Sequence, residues 1–353
     1  MKPDTHEIGE ANVNTRFNPD FSRREFLLRS SALTMASMLG GYAELAAAEP
    51  PPETKKIRLI HSPSLCLAPQ YIAEDLLRLE GFTDVNYYPL GTRNAPKALT
   101  DGRADITLWN APGMIPYIDS GLPIVLLAGV HSGCYELFGN DRVSAIRECK
   151  GKTLATYYLG SGDHYMFSSI LAYVGIDPKK DVNWITADST GQDAMALFSD
   201  GKADAFFAFT PQPQELRAKK IGHVLIDTTV DKPWSQYFCC MVAANRDFVR
   251  KNPIATKRAL RAILKASDIC ANEPERAARF LFERGYERRL NIGLEVMKTL
   301  RYDRWREYDP TDTLRYFALR LYEVGMIKTS PEKFIAQAAD WRFLNELKRE
   351  LKA

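Results

Sequence analysis

Histidine is scarce in this chain, with 5 in 353 residues, and its 6 cysteines include no Cys-x-x-Cys pair. A structural zinc site of the usual spacing is therefore not expected, and the sequence points to no metal and no cofactor. Also missing are a Ser-His-Asp pattern, a nucleophile elbow, a Walker loop and a His-Glu-x-x-His stretch, so the commonest hydrolase and nucleotidase chemistries lack their residues. Beyond residue 48 no apolar run approaches the ~20 residues that span a bilayer. An excess of one charge is missing too. Lys and Arg number 47 against 44 Asp and Glu, a net +3, and the basic residues are scattered. That argues against nucleic acid as a partner. What remains, 45% hydrophobic and 26% charged residues, is an ordinary globular composition at a length suited to two domains.

The most informative positive feature is a duplication. Residues 92–109 read TRNAPKALTDGRADITLW and residues 191–208 read GQDAMALFSDGKADAFFA. Asp101, Gly102 and Asp105 recur as Asp200, Gly201 and Asp204. Each copy reads as a helix ended by a glycine in the left-handed region and followed at once by a buried strand. Two such units imply two similar α/β lobes facing a cleft.

Residues 1–48 read as a leader. Ser22-Arg23-Arg24-Glu25-Phe26-Leu27 closely resembles a twin-arginine export signal, a moderately apolar stretch follows, and Ala46-Ala47-Ala48 offers a cleavage site. The expected location is the periplasm. The cysteines at 66, 134, 149, 239, 240 and 270 all follow the leader, and their pairing is not readable from spacing.

From Lys55 strands and helices alternate, with strands at 57–62, 85–90, 106–110 and 124–130. The alternation restarts with strands at 135–140, 152–157, 182–186, 205–209 and 223–227. This is the pattern of mostly parallel sheets with helices on both faces. The apolar run 238–244 reads as a strand returning to the first lobe. The division expected is 49–133 for the first part of lobe one, 134–238 for lobe two, and 239–353 for the return to lobe one with C-terminal helices. In those helices Leu260, Ile263, Leu264 and Ser267, and Leu314, Phe317, Ala318 and Leu321, keep i, i+3, i+4, i+7 spacing. With Arg258, Arg261, Arg315 and Arg320 opposite, they read as a buttress on lobe one.

Ligands of open parallel sheets bind beyond the carboxyl ends of the strands, where helix N-termini present unpaired N–H groups. The loops at those ends supply the candidate contacts. Ser62, Ser64 and Leu65 follow the first strand, and Thr92 and Arg93 the second. Trp109, Asn110 and His131 end the next two. In the second lobe the candidates are Gly160, Ser161, Gly162, His164, Asp188, Phe209 and Thr210. Helix capping competes as the role of Ser161, core packing as that of Trp109, and surface exposure as that of Arg93. Asp188 favours a ligand carrying an amine, as in taurine or an aminopyrimidine.

The leader, the duplicated Asp-Gly-[Arg/Lys]-Ala-Asp step, Gly160-Ser161-x-x-His164 opening a helix, and the tail from Leu314-Arg315-Tyr316 to Trp341-Arg342-Phe343-Leu344 together resemble periplasmic substrate-binding proteins of ABC importers. The branch resembled is the nitrate, sulfonate and taurine one, over residues 55–353. The resemblance implies a two-lobed type II binding-protein fold that captures a small polar or anionic organic solute by hinge closure. It further implies a monomer that delivers the solute to an inner-membrane permease and is not an enzyme. The related thiamine-pyrimidine synthesis family carries a Cys-rich stretch, and the vicinal Cys239 and Cys240 could bind a soft metal or cycle a disulfide; their place in the apolar return strand, with no matching His cluster, favours packing instead. Two other functions share the scaffold: a pyrimidine-forming or lyase-like enzyme, and a ligand-sensing partner of a membrane histidine kinase.

Overall fold

In the computed structural model, which describes residues 49–89 and 95–351, the two copies of the repeated step close the same ring. The leader with its export signal, Thr92 and Arg93 all lie outside the described residues. Asp105 donates its N–H to the Arg58 carbonyl at 2.8 Å, and its carboxylate accepts the Arg58 N–H at 2.8 Å. Asp204 repeats both bonds with Thr153, at 2.7 and 2.9 Å. Each carboxylate also takes a guanidinium, Arg58 on Asp105 and Arg142 on Asp204. Gly102 and Gly201, at φ +66° and +73°, turn the chain out of the preceding helix as the duplication implied.

These rings clamp the first strand of each lobe to the third. In lobe one β1 (Lys56–His61) pairs in parallel with β2 (Asp84–Pro89), and β3 (Ile106–Asn110) and β4 (Ile124–Ser132) flank β10 (Phe238–Asn245). In lobe two the order is β7-β6-β8-β5-β9, from β5 (Tyr135–Gly139), β6 (Thr153–Thr156), β7 (Asn183–Thr186), β8 (Ala205–Phe209) and β9 (His223–Asp227). In both, one antiparallel strand lies between the third and fourth: β10 between β3 and β4, β5 between β8 and β9. Each of these strands begins just after the chain has crossed from the other lobe. Strands β3, β4, β5 and β8 are buried along their whole length, which explains why they are mostly apolar, with Glu136 of β5 paired to Arg217. One apolar core runs through both lobes, and a smaller cluster around Phe138, Phe198 and Phe206 fills the far side of lobe two.

The C-terminal helices reach further than a buttress on lobe one. The helix Pro253–Asn272 packs on Ala68–Leu79 of lobe one, but Pro310–Glu323 packs on both Ala111–Asp119 and Gly162–Tyr173, one helix from each lobe. Arg217 of lobe two pairs with Glu295 at 2.9 Å, and Glu215 pairs with Arg289 at 2.9 Å. Helical spacing identifies the face that is covered, not the neighbour that covers it. Arg258 and Arg261, on the face opposite the apolar stripe, are likewise partly covered, each donating to Glu80. Among the described residues no helix is long and apolar enough to cross a membrane.

Candidate ligand cavity

The loops beyond the strand ends meet across the cleft. Asn110 caps the helix Ala111–Asp119, its Oδ1 accepting the Gly113 N–H at 2.7 Å. Ser161 caps Gly162–Tyr173, accepting the His164 N–H at 3.3 Å. These two helix starts touch: a Cβ on Gly162 would lie 2.2 Å from Asn110 Nδ2, and one on Gly113 would lie 2.8 Å from Gly162 Cα. Leu65 N–H donates to the Thr210 carbonyl at 3.3 Å, and the Tyr117 hydroxyl donates to the Gly160 carbonyl at 3.1 Å. The lobes are therefore closed on one another.

Between them lies a cavity lined from lobe one by Ser62, Ser64, Cys66, Leu67, Trp109, Asn110 and Cys240. Tyr135, Tyr157, Gly162, Asp163 and Phe209 line it from lobe two. About 40 Å³ is within reach of water-molecule centres, room for roughly three waters or a ligand of a few heavy atoms. Tyr135 stacks on Phe207 at 4.8 Å and meets Phe209 edge-on at 5.9 Å, and Tyr157 leans on Phe209 at 5.8 Å. With Trp109 these rings make aromatic walls able to stack on a planar group or face a cation.

Among the described lining residues, one carries a carboxyl group. Asp163 is 7% exposed and sits in the first turn of its helix. It accepts the Thr156 hydroxyl at 2.5 Å and the Tyr157 N–H at 3.2 Å. Burial holds its carboxyl above the usual range, and the Ser161 and Thr156 hydroxyls pull it part of the way back. No lysine, arginine or histidine is among the described residues that line the cavity.

Of the residues singled out from the sequence, Ser62, Ser64, Trp109, Asn110, Gly162 and Phe209 line the cavity. Leu65 and Thr210 form the bridge beside it. Gly160 and Ser161 shape the turn behind it. Gly160, at φ +91°, holds a conformation that strains any other residue, and its N–H donates to His164 Nδ1 at 3.2 Å. His164 turns edge-on to Trp184 at 4.8 Å, and burial lowers its pKa to about 4, so its ring is neutral. Asp188 is exposed in a separate turn of helix, Ala187–Thr190, and is not among the lining residues. The carboxylate at the cavity is Asp163 instead. Tyr135, Tyr157, Asp163, Cys66, Leu67 and Cys240 were not anticipated. An acidic residue in the first turn of a strand-end helix was the available signal for Asp163.

His131 is fully buried and is not among the residues that line the cavity. Its Nδ1 lies 3.0 Å from the Gly133 carbonyl and its Nε2 has no hydrogen-bond partner. Around it are Cys66, Cys134 and Cys240, their ligand atoms and the His131 nitrogen all within 4.8 Å of one another. Sequence spacing concealed this group because its members come from the loop after β1, the end of β4, the lobe crossing and β10.

The fold is the two-lobed type II binding-protein fold, the architecture that the sequence led us to expect. Residues 52–281 match the NMT1-like family, and the chain belongs to it. No curated protein matches it significantly by sequence. Among solved structures, it is similar to the periplasmic nitrate-binding protein NrtA of Synechocystis PCC 6803, with a TM-score of 0.70 at 16% identity over 86% of this chain and 90% of that one. The periplasmic aliphatic sulphonate binding protein SsuA of Escherichia coli follows at 0.61 and 16%, over 81% and 92%. The desulfurization enzyme DSZB shares the fold at 0.55 and 15%, over 84% and 99%, so the scaffold also carries catalysis.

Proposed function

We propose that this chain is the solute-binding component of an ABC importer, working in the periplasm after twin-arginine export. It captures a small polar solute between its lobes, closes, and presents the solute to a membrane permease. The observation that carries this reading is the cavity between the helix starts at Asn110 and Ser161, contributed by both lobes and lined by aromatic rings. The lobe division at about residues 133 and 238 and the monomeric state belong to the same proposal.

The cavity's chemistry refines the solute. A buried carboxylate, with no lysine or arginine among the described lining residues, disfavours a bare anion such as nitrate and favours a compact solute with a protonated amine set between Asp163 and the rings. Isothermal titration with nitrate, methanesulfonate, taurine and small alkylamines tests this. Taurine or an amine is expected to bind and nitrate to be inert. The reverse order would overturn the charge assignment. A time course by mass spectrometry checks the enzymatic alternative, which two cysteines in the cavity wall keep in view. Release of the bound compound unchanged supports a receptor, whereas its chemical conversion would replace the receptor with an enzyme. A permease and an ATPase encoded beside the gene would support import, and a histidine kinase would support sensing.

A further inference from the structure

Four soft or borderline metal-ligating side chains meet beneath the cavity, each almost completely shielded from water: Cys66 at 3% exposure, His131 at 0%, Cys134 at 3% and Cys240 at 2%. A buried imidazole nitrogen with no partner is costly, and native interiors rarely leave one. Here the ring's orientation is imposed. A carbonyl only accepts, so the His131 nitrogen 3.0 Å from the Gly133 carbonyl carries the proton. Nε2 is left with a free lone pair. A metal-bound histidine is oriented in the same way, by its second nitrogen donating to a backbone carbonyl.

We propose that Cys66, His131, Cys134 and Cys240 bind one tetrahedral, thiophilic divalent cation of the Zn²⁺ class, which forms the floor of the ligand cavity. Three thiolates and one imidazole make a complete four-coordinate set for such a cation. Tetrahedral bonds of about 2.3 Å to sulfur and 2.0–2.1 Å to nitrogen place the ligand atoms roughly 3.6–3.8 Å apart. Cys66 and Cys240 already stand at 4.0 Å between sulfurs, and the whole set lies within 4.8 Å, so only a small contraction is needed. Cys66 and Cys240 open onto the cavity, which gives the ion its path in. Cys134 holds a strained backbone at φ +135°, as residues at functional sites often do.

The placement gives the ion a structural consequence. Cys134 lies in the crossing from β4 to β5, Cys240 lies near the start of β10 after the return crossing, and Cys66 lies in the turn beside Leu65, which bridges to Thr210. The cation would tie both lobe crossings to the loop that carries Ser62 and Ser64. Binding converts three thiols to thiolates and releases up to three protons. Cys239 is a rival for Cys134: the two sulfurs stand 2.9 Å apart, close enough to compete as a pair.

The test needs no solute. Full-length chain purified anaerobically under reducing conditions, stripped with a chelator and titrated with Co²⁺ alone should bind one equivalent. The expected signature is thiolate-to-cobalt charge-transfer absorption, abolished by one equivalent of Zn²⁺. Cys134→Ser and Cys240→Ser should each weaken Co²⁺ binding by more than about 100-fold, beyond the range of an outer-shell partner. Cys149→Ser and Cys270→Ser, at buried cysteines outside the group, should bind as the parent does. Absence of the charge-transfer band in the parent chain overturns the proposal, and so does its survival in Cys134→Ser and Cys240→Ser. A Cys134–Cys239 disulfide in peptide maps of the anaerobic protein also overturns it. The parent titration decides even where a variant fails to fold.

Discussion

Gly162 opens the lobe-two helix at the point where it touches Asn110 of lobe one, and a single methyl group there separates closure from folding. In Gly162→Ala the added Cβ would stand 2.2 Å from Asn110 Nδ2, and 2.9 Å from both its Cγ and its Oδ1, well over 1 Å inside ordinary contact for the first pair. Asn110 is not free to yield, because its Oδ1 caps Gly113 at 2.7 Å and its Nδ2 reaches the Tyr135 hydroxyl at 3.4 Å. Over-packing of this kind costs about 1–3 kcal/mol. At 1.4 kcal/mol per decade, that predicts a loss of solute affinity of roughly 5- to 140-fold. Folding should not suffer, since Gly162 does not hold a positive φ. Alanine there reduces the freedom of the unfolded chain, which is worth up to about 1 kcal/mol. Calorimetric titration with the tightest member of the solute panel should show weaker binding, and thermal melting of the ligand-free variant an unchanged or higher midpoint. Unaltered affinity would mean that the Asn110–Gly162 contact is not part of the bound form. A melting midpoint that fell with affinity would make the effect one of folding.

Asp163→Asn should weaken an amine ligand by at least about 10-fold, the scale of one buried charge-assisted contact, while leaving the fold intact. Because burial raises the Asp163 pKa, amine binding in the parent should fade with acidification at a higher pH than an ordinary carboxylate dictates, as titration at successive pH values would show. Asp204→Ala should cost about 1–3 kcal/mol in urea unfolding, chiefly because it leaves the Thr153 N–H without its acceptor, the exposed Arg142 guanidinium being solvated. Hydrogen bonds from Thr153, Arg142 and Asn140 hold the Asp204 pKa below its ordinary value despite burial, so its contribution is present above that value and lost as pH falls through the lowered one. His164, with its pKa lowered to about 4 by burial, stays neutral in the folded chain while the unfolded chain takes up a proton near pH 6.5. Stability should therefore fall between about pH 6.5 and about pH 4, by at most about 3 kcal/mol, and His164→Gln should flatten that limb of the urea-midpoint profile.

Strand positions along the chain and turn chemistry are local properties, and the parts of this molecule that depend on them were legible. The strand expected at residues 106–110 is Ile106–Asn110, and the loops placed at the carboxyl ends of strands do bring Ser62, Ser64, Trp109, Asn110, Gly162 and Phe209 to one cavity. The duplicated step was also legible as a repeat, but its two final aspartates act at the opposite ends of the sheets, where they clamp strand to strand rather than bind anything. Asp188 was read as a cleft carboxylate because residues 182–199 look like one strand and one helix. Gly191, at φ +68°, instead ends a short separate helix that leaves Asp188 exposed.

The residues that escaped notice share one cause. Tyr135 belongs to β5 and Cys240 to β10, the two antiparallel strands that each lobe receives from a crossing of the chain. A strand inserted between a third and a fourth neighbour carries no signature of that place in its own residues, because Tyr-Glu-Leu-Phe and Phe-Cys-Cys-Met are consistent with any buried strand. Only the pairing of β10 with β3 and β4 sets Cys240 opposite Asn110 and His131. The same pairing gathers sulfur ligands separated by up to 174 positions around one imidazole. The two chain crossings thus also bring the cysteines beside the cavity together, so an ion held there would touch segments of both lobes. Perturbing Cys134 or Cys240 should therefore change lobe closure as well as local packing, whereas Cys149, outside the group, should affect packing alone.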